Sequence, residues 1–436
     1  MINLQLILNQ DFIKKYSLEI GIILCFVLPP IGILWLMFIG WNHLNKAIDL
    51  KVPFYFNTTT FFYICLAIAA LGASFSEKNG KFILIFAMIL GYLGLYLYIK
   101  ERATFVLFHR FKHIMIAGAV YLIGLGMIVR EFPVTNVLFG LLTGTKLFAP
   151  STEAGGRIFG SAYNPNFTCF LLLVTFTFIL ADLLKRLQDK SIKISKWVYI
   201  ITLFIVIGIF QTGSRAGVAT MLVILFIFVL RAAPKIGLAI LAISFLAKDQ
   251  ILEIIPRSKF ILESAFVRKE IWETSFQIWK DHPYFGTTSI GFYEAYSHLG
   301  SPVVPHAHNI LLAFFAEYGT IGGLAFILLS ITITFKFCSL FFLNGKKKRL
   351  LDFFILSLPV ILLTGIFDHP LVSPQTALLT TILVACWDRY TGSLPFVHNS
   401  ALYLKRFIVK MSYFLEGNTE GQHLTKTDKE KSKYKI

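Results

Sequence analysis

The residues best suited to chemistry are His306-Ala307-His308-Asn309, which open an apolar run leading to Glu317-Tyr318 and then Gly319-Thr320-Ile321-Gly322. Two imidazoles at the mouth of an apolar helix cost free energy unless they have a partner or a task. With an ordinary pKa of about 6.5, an imidazole suits proton abstraction from a hydroxyl near neutral pH. His308 is one candidate base and His306, two residues away, is another. An H-x-H pair also occurs in metal sites, but no carboxylate lies within two residues, so no metal is assigned. Asp368, far along the chain, can reach the same place and orient an imidazole. The plainer alternative is a pair of histidines wetted at an interface.

Three arginines stand out with them. Arg157 precedes an apolar segment, Arg215 lies in the turn Gly213-Ser214-Arg215-Ala216-Gly217, and Arg268 lies in Phe266-Val267-Arg268-Lys269-Glu270-Ile271-Trp272. Guanidinium binds phosphate through paired hydrogen bonds and stays charged at every relevant pH. Arg215, set between two apolar segments, is costly there without an anionic partner. The alternative for each arginine is a side chain reaching out to lipid headgroups. Residues 265–282 read as an amphipathic helix. Trp272 and Trp279, seven apart, share a face with Phe276, so the helix is expected to lie on the bilayer surface with its indoles at headgroup level. His282-Pro283 ends it, and Gly286 to Gly291 reads as a flexible turn. Glu317, about 13 Å beyond His308 at 1.5 Å per residue, falls inside the membrane and is expected to face the bundle. Gly319 and Gly323 have the GxxxG spacing of close helix packing. The run from His308 to Leu343 is too long for one straight span and is expected to start above the bilayer or bend at these glycines. No D-x-D pair, P-loop or dinucleotide-binding glycine pattern occurs.

The elements that must position these groups are membrane helices. The 436 residues are 56% hydrophobic with only 15% charged, against about 25% charged in soluble domains, and the mean hydropathy is +0.70. Spans of the required length fall near 18–41, 59–75, 81–99, 112–129, 165–184, 197–212, 216–231, 234–248, 308–342, 350–367 and 373–390. Leu18 to Trp41 is too long for the apolar core of a cleaved signal. It contains Pro29-Pro30 and is one kinked span or two short ones, with two, and hence twelve in all, favoured. The net charge of +17 is gathered in alternate loops, which marks those loops as cytoplasmic rather than as a nucleic-acid surface. The candidate groups then all face outward. The expected fold is an all-α polytopic transmembrane bundle of 11–12 spans with one compact extracytoplasmic helical loop. Residues 1–150 supply N-terminal membrane helices, 151–390 a core that includes the outer loop 249–307, and 391–436 a basic, disordered cytoplasmic tail that also meets anionic lipid. The five cysteines lie in apolar segments without metal or disulfide spacing.

Taken together, these residues resemble the O-antigen ligase and polymerase family of bacterial membrane glycosyltransferases over roughly 150–330. His308-Asn309, nine residues, Gly319, two residues and Gly322 are similar to the family's H-[NSQ]-x9-G-x-x-[GTY] signature. Gly213 to Gly217 resembles its G-S-R-A/G-G turn, and Arg157 with Asn164-Pro165-Asn166 resembles its R-x-x-G-x-x-x-N-P-N segment. Arg268, Trp272 and His282-Pro283 resemble the start of its large outer loop. The resemblance implies about twelve spans and transfer of a glycan from undecaprenyl pyrophosphate at the outer face of the plasma membrane. It implies no metal and no cofactor, since Arg215 and Arg268 would neutralise the pyrophosphate. His308 would activate or orient the acceptor hydroxyl, which attacks with inversion. His308, Arg215 and Arg268 are thus the candidate catalytic residues, and Arg157, His306, Asn309, Trp272 and Asp368 the candidate substrate-binding residues. The acceptor is a second glycan for a polymerase or lipid A core for a ligase. The polymerase is slightly favoured because that class serves bacteria with or without an outer membrane. Membrane lipids are expected partners, and flippase or chain-length-regulator proteins are candidate ones. A transporter is the rival of another class, although the candidate groups avoid the bilayer midplane, Glu317 excepted.

Overall fold

The computed structural model describes residues 10–50, 56–146, 156–189, 195–246, 261–299, 304–341 and 350–392, with residues 250 and 256. The expected tail from 393 onward and the basic loop around 346–349 lie outside the described residues. Among the described residues the chain is all α-helix, with one short 3-10 turn and no strand. The helices are α1 Gln10–Lys15, α2 Ser17–Val27, α3 Pro29–Asp49, α4 Thr58–Ser76, α5 Phe82–Arg102, α6 Phe105–Glu131, α7 Val137–Thr143, α8 Pro165–Gln188, α9 Lys196–Gln211, α10 Arg215–Ala232, α11 Pro234–Leu246, α12 Ile261–Asp281, α13 Thr288–Leu299, α14 Ile310–Phe341, α15 Leu351–Gly365 and α16 Pro374–Gly392. Residues 387–436 form a second unit, of which only the end of α16 is described.

Six helices (α4, α5, α6, α8, α10 and α14) are by themselves long and apolar enough to cross a membrane. α2, α9 and α15 are shorter apolar helices. The first apolar run is not one kinked span. Pro29 cannot continue α2 and instead starts α3 at its first position. α3 then folds back alongside α2, as the Trp35 indole donates to the Ser17 carbonyl at 2.9 Å and Gly32 lies on the Leu24–Cys25 backbone. The run is thus a hairpin, and α2, at 11 residues, is shorter than the roughly 20 that a full span needs.

α8 is the most enclosed of the six long apolar helices, with 89% of its apolar window buried, and it packs on α6, α9, α10 and α15. At the end away from the histidines, two of these neighbours carry buried ion pairs. There Lys112 meets Asp182 at 2.6 Å, and Arg231 meets the fully buried Asp352 at 3.0 Å and also donates to the Phe341 carbonyl. Part of the basic complement expected to sit in solvated loops is therefore paired inside the bundle.

The segment expected to form the compact outer loop folds as α12 and α13, packed on α14 through Ile271, Ile278, Phe292, Tyr296, Ala313 and Ala316. α14 is broken. Gly319 has φ 62° and ψ −165°, a region essentially restricted to glycine. The bond a continuous helix would make from the Thr320 amide to the Ala316 carbonyl is opened, and the loop 283–287 takes both ends. Thr320 donates to the Pro283 carbonyl at 2.8 Å, and Ala316 accepts from the Thr287 amide at 3.1 Å. Irregular backbone at membrane depth is tolerated only when its polar groups are met by protein in this way. The bend expected at the glycines is present, but Gly319 serves loop insertion rather than the helix–helix contact that GxxxG spacing suggests. The flexible turn expected at 286–291 is likewise absent. Gly286 is wedged against the Glu317 backbone, and α13 starts at Thr288. A Cβ on Gly319 would lie 2.2 Å from the Tyr284 carbonyl oxygen. Gly319→Ala should therefore cost about 1–3 kcal/mol from backbone conformation alone and more from the clash. Gly323→Ala, where the atoms nearest a Cβ belong to the movable Phe315 ring rather than to backbone, should cost less. Thermal melts of the detergent-purified variants check this, and equal melting of the wild type and Gly319→Ala would refute it.

Candidate active site

Two helix starts position Arg157 and Arg215. Asn164 caps α8, its side-chain oxygen accepting from the Asn166 amide at 2.8 Å, with Pro165 in the first helical position. The Asn166 side chain is thereby freed to accept from an Arg157 terminal nitrogen at 2.8 Å, while Arg157 Nε donates to the Thr212 carbonyl at 2.6 Å. Gly213 has φ +61°, and a Cβ there would press on the Arg157 side chain at 3.2 Å, so glycine lets the guanidinium cross the turn. Ser214 caps α10 through the Gly217 amide, which places Arg215 in the first turn. Its guanidinium donates to Ser264 on α12. One helical turn beyond Ser264, Arg268 lies over the Phe367 ring at 5.6 Å.

The histidines converge on the next residue, Asp368. His306 Nε2 lies 2.9 Å and His308 Nδ1 3.1 Å from Asp368 Oδ1, and the His369 backbone amide donates to the same oxygen at 2.8 Å. Burial alone would raise the Asp368 carboxyl, but the hydrogen bonds and charge of the two imidazoles reverse this and hold it well below the usual carboxylate range. Ionised, it can only accept, so each imidazole donates from the nitrogen facing it. Burial, then the neighbouring charge of His308, pushes His306 down against the opposing pull of Asp368. His306 is sealed at 3% side-chain exposure, whereas His308 keeps 25%. His308 also has φ 48°, an uncommon backbone for a non-glycine residue, and the two rings sit 4.3 Å apart.

The pieces close a ring. Arg157 bonds Asn166, whose neighbour Phe167 faces His306 at 6.2 Å between ring centroids. His306 bonds Asp368, and the adjoining Phe367 receives Arg268. Arg268 shares a face of α12 with Ser264, which binds Arg215, and the turn before Arg215 returns to Arg157. Three half-buried arginines and one accessible imidazole thus line a single circuit. Asn309 works as a helix cap, its oxygen accepting from the Leu311 and Leu312 amides at 3.0 Å each and its nitrogen donating to the Ile366 carbonyl. The tryptophans turn inward rather than toward a bilayer surface. The Trp272 indole points at the His308 carbonyl at 3.4 Å, and that of Trp279 donates to Thr320 at 3.1 Å. A half-buried indole N–H needs a partner, and the protein supplies one.

Sequence reasoning missed Ser264, whose single hydroxyl carries no motif. It also gave no role to His369, which sits behind the triad with its Nε2 3.8 Å from buried Glu317. Burial, then the charge of His306, drives the His369 imidazole down to about 3, so it stays neutral. Only the joint placement of Glu317 and His369, 52 positions apart, reveals the pair. Among the described residues, His306, His308 and Asp368 form a group able to hold a metal ion.

The family model described as O-antigen ligase matches residues 200–327. The chain carries an O-antigen ligase family domain. This domain includes Arg215, Arg268, His306, His308 and the broken part of α14. The ring is completed from outside it, by Arg157 and Asn166 before and by Asp368 after. The O-antigen ligase domain and the apolar helices together mark a multi-pass membrane protein of the glycan-transfer type. No curated protein matches the chain.

Proposed function

We propose that the chain is a metal-independent glycosyltransferase of the outer face of a bacterial plasma membrane, acting on a glycan linked to undecaprenyl pyrophosphate. What supports this reading is the chain of contacts that links Arg157, Arg215 and Arg268 to the Asp368-bound His308. In it, His308 donates from Nδ1 to Asp368, which leaves Nε2 with a lone pair for the acceptor hydroxyl. That choice favours His308 over His306, which is sealed. The acceptor oxygen gives its proton to Nε2 and attacks the anomeric carbon from the side opposite the pyrophosphate. The anomeric C–O bond breaks, its electron pair stays on the pyrophosphate oxygen, and configuration inverts. Arg215 and Arg268 stabilise the charge that grows there, with Arg157 beside them. The basic loops at the far ends of the same helices support an outward-facing site.

The product is a longer lipid-linked glycan if the acceptor is a second repeat unit, and this polymerase reading is slightly preferred. The second reading is transfer to lipid A core, after the ligase activity in the matched family's description. Purified protein incubated with lipid-linked repeat units should give a ladder if it is a polymerase, or a product only when core acceptor is added if it is a ligase. EDTA should leave either reaction intact. Absence of product under both conditions, with the protein folded, would sink the proposal.

A further inference from the structure

No carboxylate stands within two residues of His306 and His308 along the sequence, but one stands beside both in space. Asp368, 60 positions after His308, brings its oxygen to both imidazoles, and the three ligand atoms lie within 4.8 Å of one another. From this geometry we propose that His306, His308 and Asp368 form a zinc site, in which one Zn2+ ion takes the place of the protons between the imidazoles and Asp368, each imidazole then carrying its proton on its other ring nitrogen, and that the ion thereby switches off glycan transfer.

The donor set is one that zinc prefers, two neutral imidazoles and a carboxylate, with a fourth position left open. At zinc bond lengths of about 2.0–2.1 Å, neighbouring ligand atoms of a tetrahedron stand about 3.3 Å apart. The present separations from Asp368 Oδ1 are 2.9 and 3.1 Å, so the ion needs shifts of only a few tenths of an ångström there. The carboxylate is already oriented from behind by the His369 amide, the kind of outer support that fixes metal ligands. The left-handed backbone at His308 lets two residues separated by a single alanine aim at one oxygen. Two of the three ligands are buried and His308 is not, so the ion enters, and keeps its open position, on the His308 side.

The consequence for catalysis follows from the tautomer. His308 faces Asp368 through Nδ1. When zinc takes Nδ1, the single proton of the neutral imidazole must sit on Nε2, which becomes a donor and can accept nothing from a hydroxyl. Zinc and the base function therefore exclude one another. Binding stands on geometry alone, and only the inhibition rests on the proposed transfer reaction.

The test uses the full-length protein without a polyhistidine tag, stripped by chelator and titrated with zinc against a chromophoric chelator. One zinc per chain is expected. Affinity should fall at least about 10-fold in His306→Ala and in Asp368→Asn, and should be unchanged in His298→Ala on α13. Cobalt(II) bound to the wild type should give the intense visible band of a four- or five-coordinate imidazole site, a readout that needs no variant to fold. A pale six-coordinate aqua spectrum, or stoichiometric binding that survives loss of His306, would overturn the site. In the transfer assay, zinc should abolish product and chelator should restore it. Zinc bound with transfer unaffected would leave the site standing and refute His308 as the base, whereas transfer without any zinc binding would refute the site and spare the reaction.

Discussion

His308→Ala should lower glycan transfer by about 10²–10⁴-fold, the usual contribution of a positioned general base. Binding of lipid-linked donor should change little, because the arginines proposed to hold the pyrophosphate remain. Asp368→Asn should lose activity to a similar order for a different reason. An asparagine amide can donate to His308 Nδ1, which favours the tautomer with its proton on Nε2 and leaves no acceptor for the hydroxyl. The two losses should not multiply in the double variant, since both remove one proton-accepting unit. Single-turnover rates with preformed donor complex would read this, with a thermal melt to confirm folding. Near-normal rates in a folded His308→Ala protein would remove the base from the mechanism.

Arg215→Lys should reduce transfer by about 10²-fold, although charge is kept. The guanidinium binds Ser264 on α12 while the same side chain is expected to meet the pyrophosphate, and an ammonium cannot hold two directions in one plane. Arg215→Ala should lose about 10³-fold, and the loss should appear in kcat as well as KM, because the charge it meets grows in the transition state. Steady-state kinetics over a range of donor concentrations separate the cases. A lysine variant with wild-type kcat would show that charge alone suffices and that the bidentate argument is wrong.

Much of this site was legible because its motifs are local. G-S-R-A-G encodes a cap and a tight crossing within five residues, and N-P-N encodes a cap, a helix start and an arginine acceptor within three. Asp368 was a candidate because an acidic residue in an outer turn can reach an imidazole. What escaped depends on pairings no local pattern records. Ser264 matters only because α12 lies beside Arg215, and the inward turn of Trp272 and Trp279 depends on α14 lying under that helix. The amphipathic pattern alone could not decide whether the apolar face meets lipid or protein. GxxxG spacing misled for a related reason. It reports that something approaches the backbone closely, but not whether that is a helix or a loop.

The opened turn of α14 also bears on how the molecule can be taken apart. A boundary drawn at the membrane surface would separate an outer lobe from a set of spans, as if the lobe were a cap set on top. The backbone says otherwise. Pro283 and Thr287 complete the hydrogen bonding of a span, so the lobe is spliced into the bundle it covers. Cutting it out would leave the Thr320 amide and the Ala316 carbonyl without their present partners. Lobes exchanged between related chains would have to travel together with the first turns of α14, which makes that joint, and not the membrane surface, the natural unit for building chimaeras.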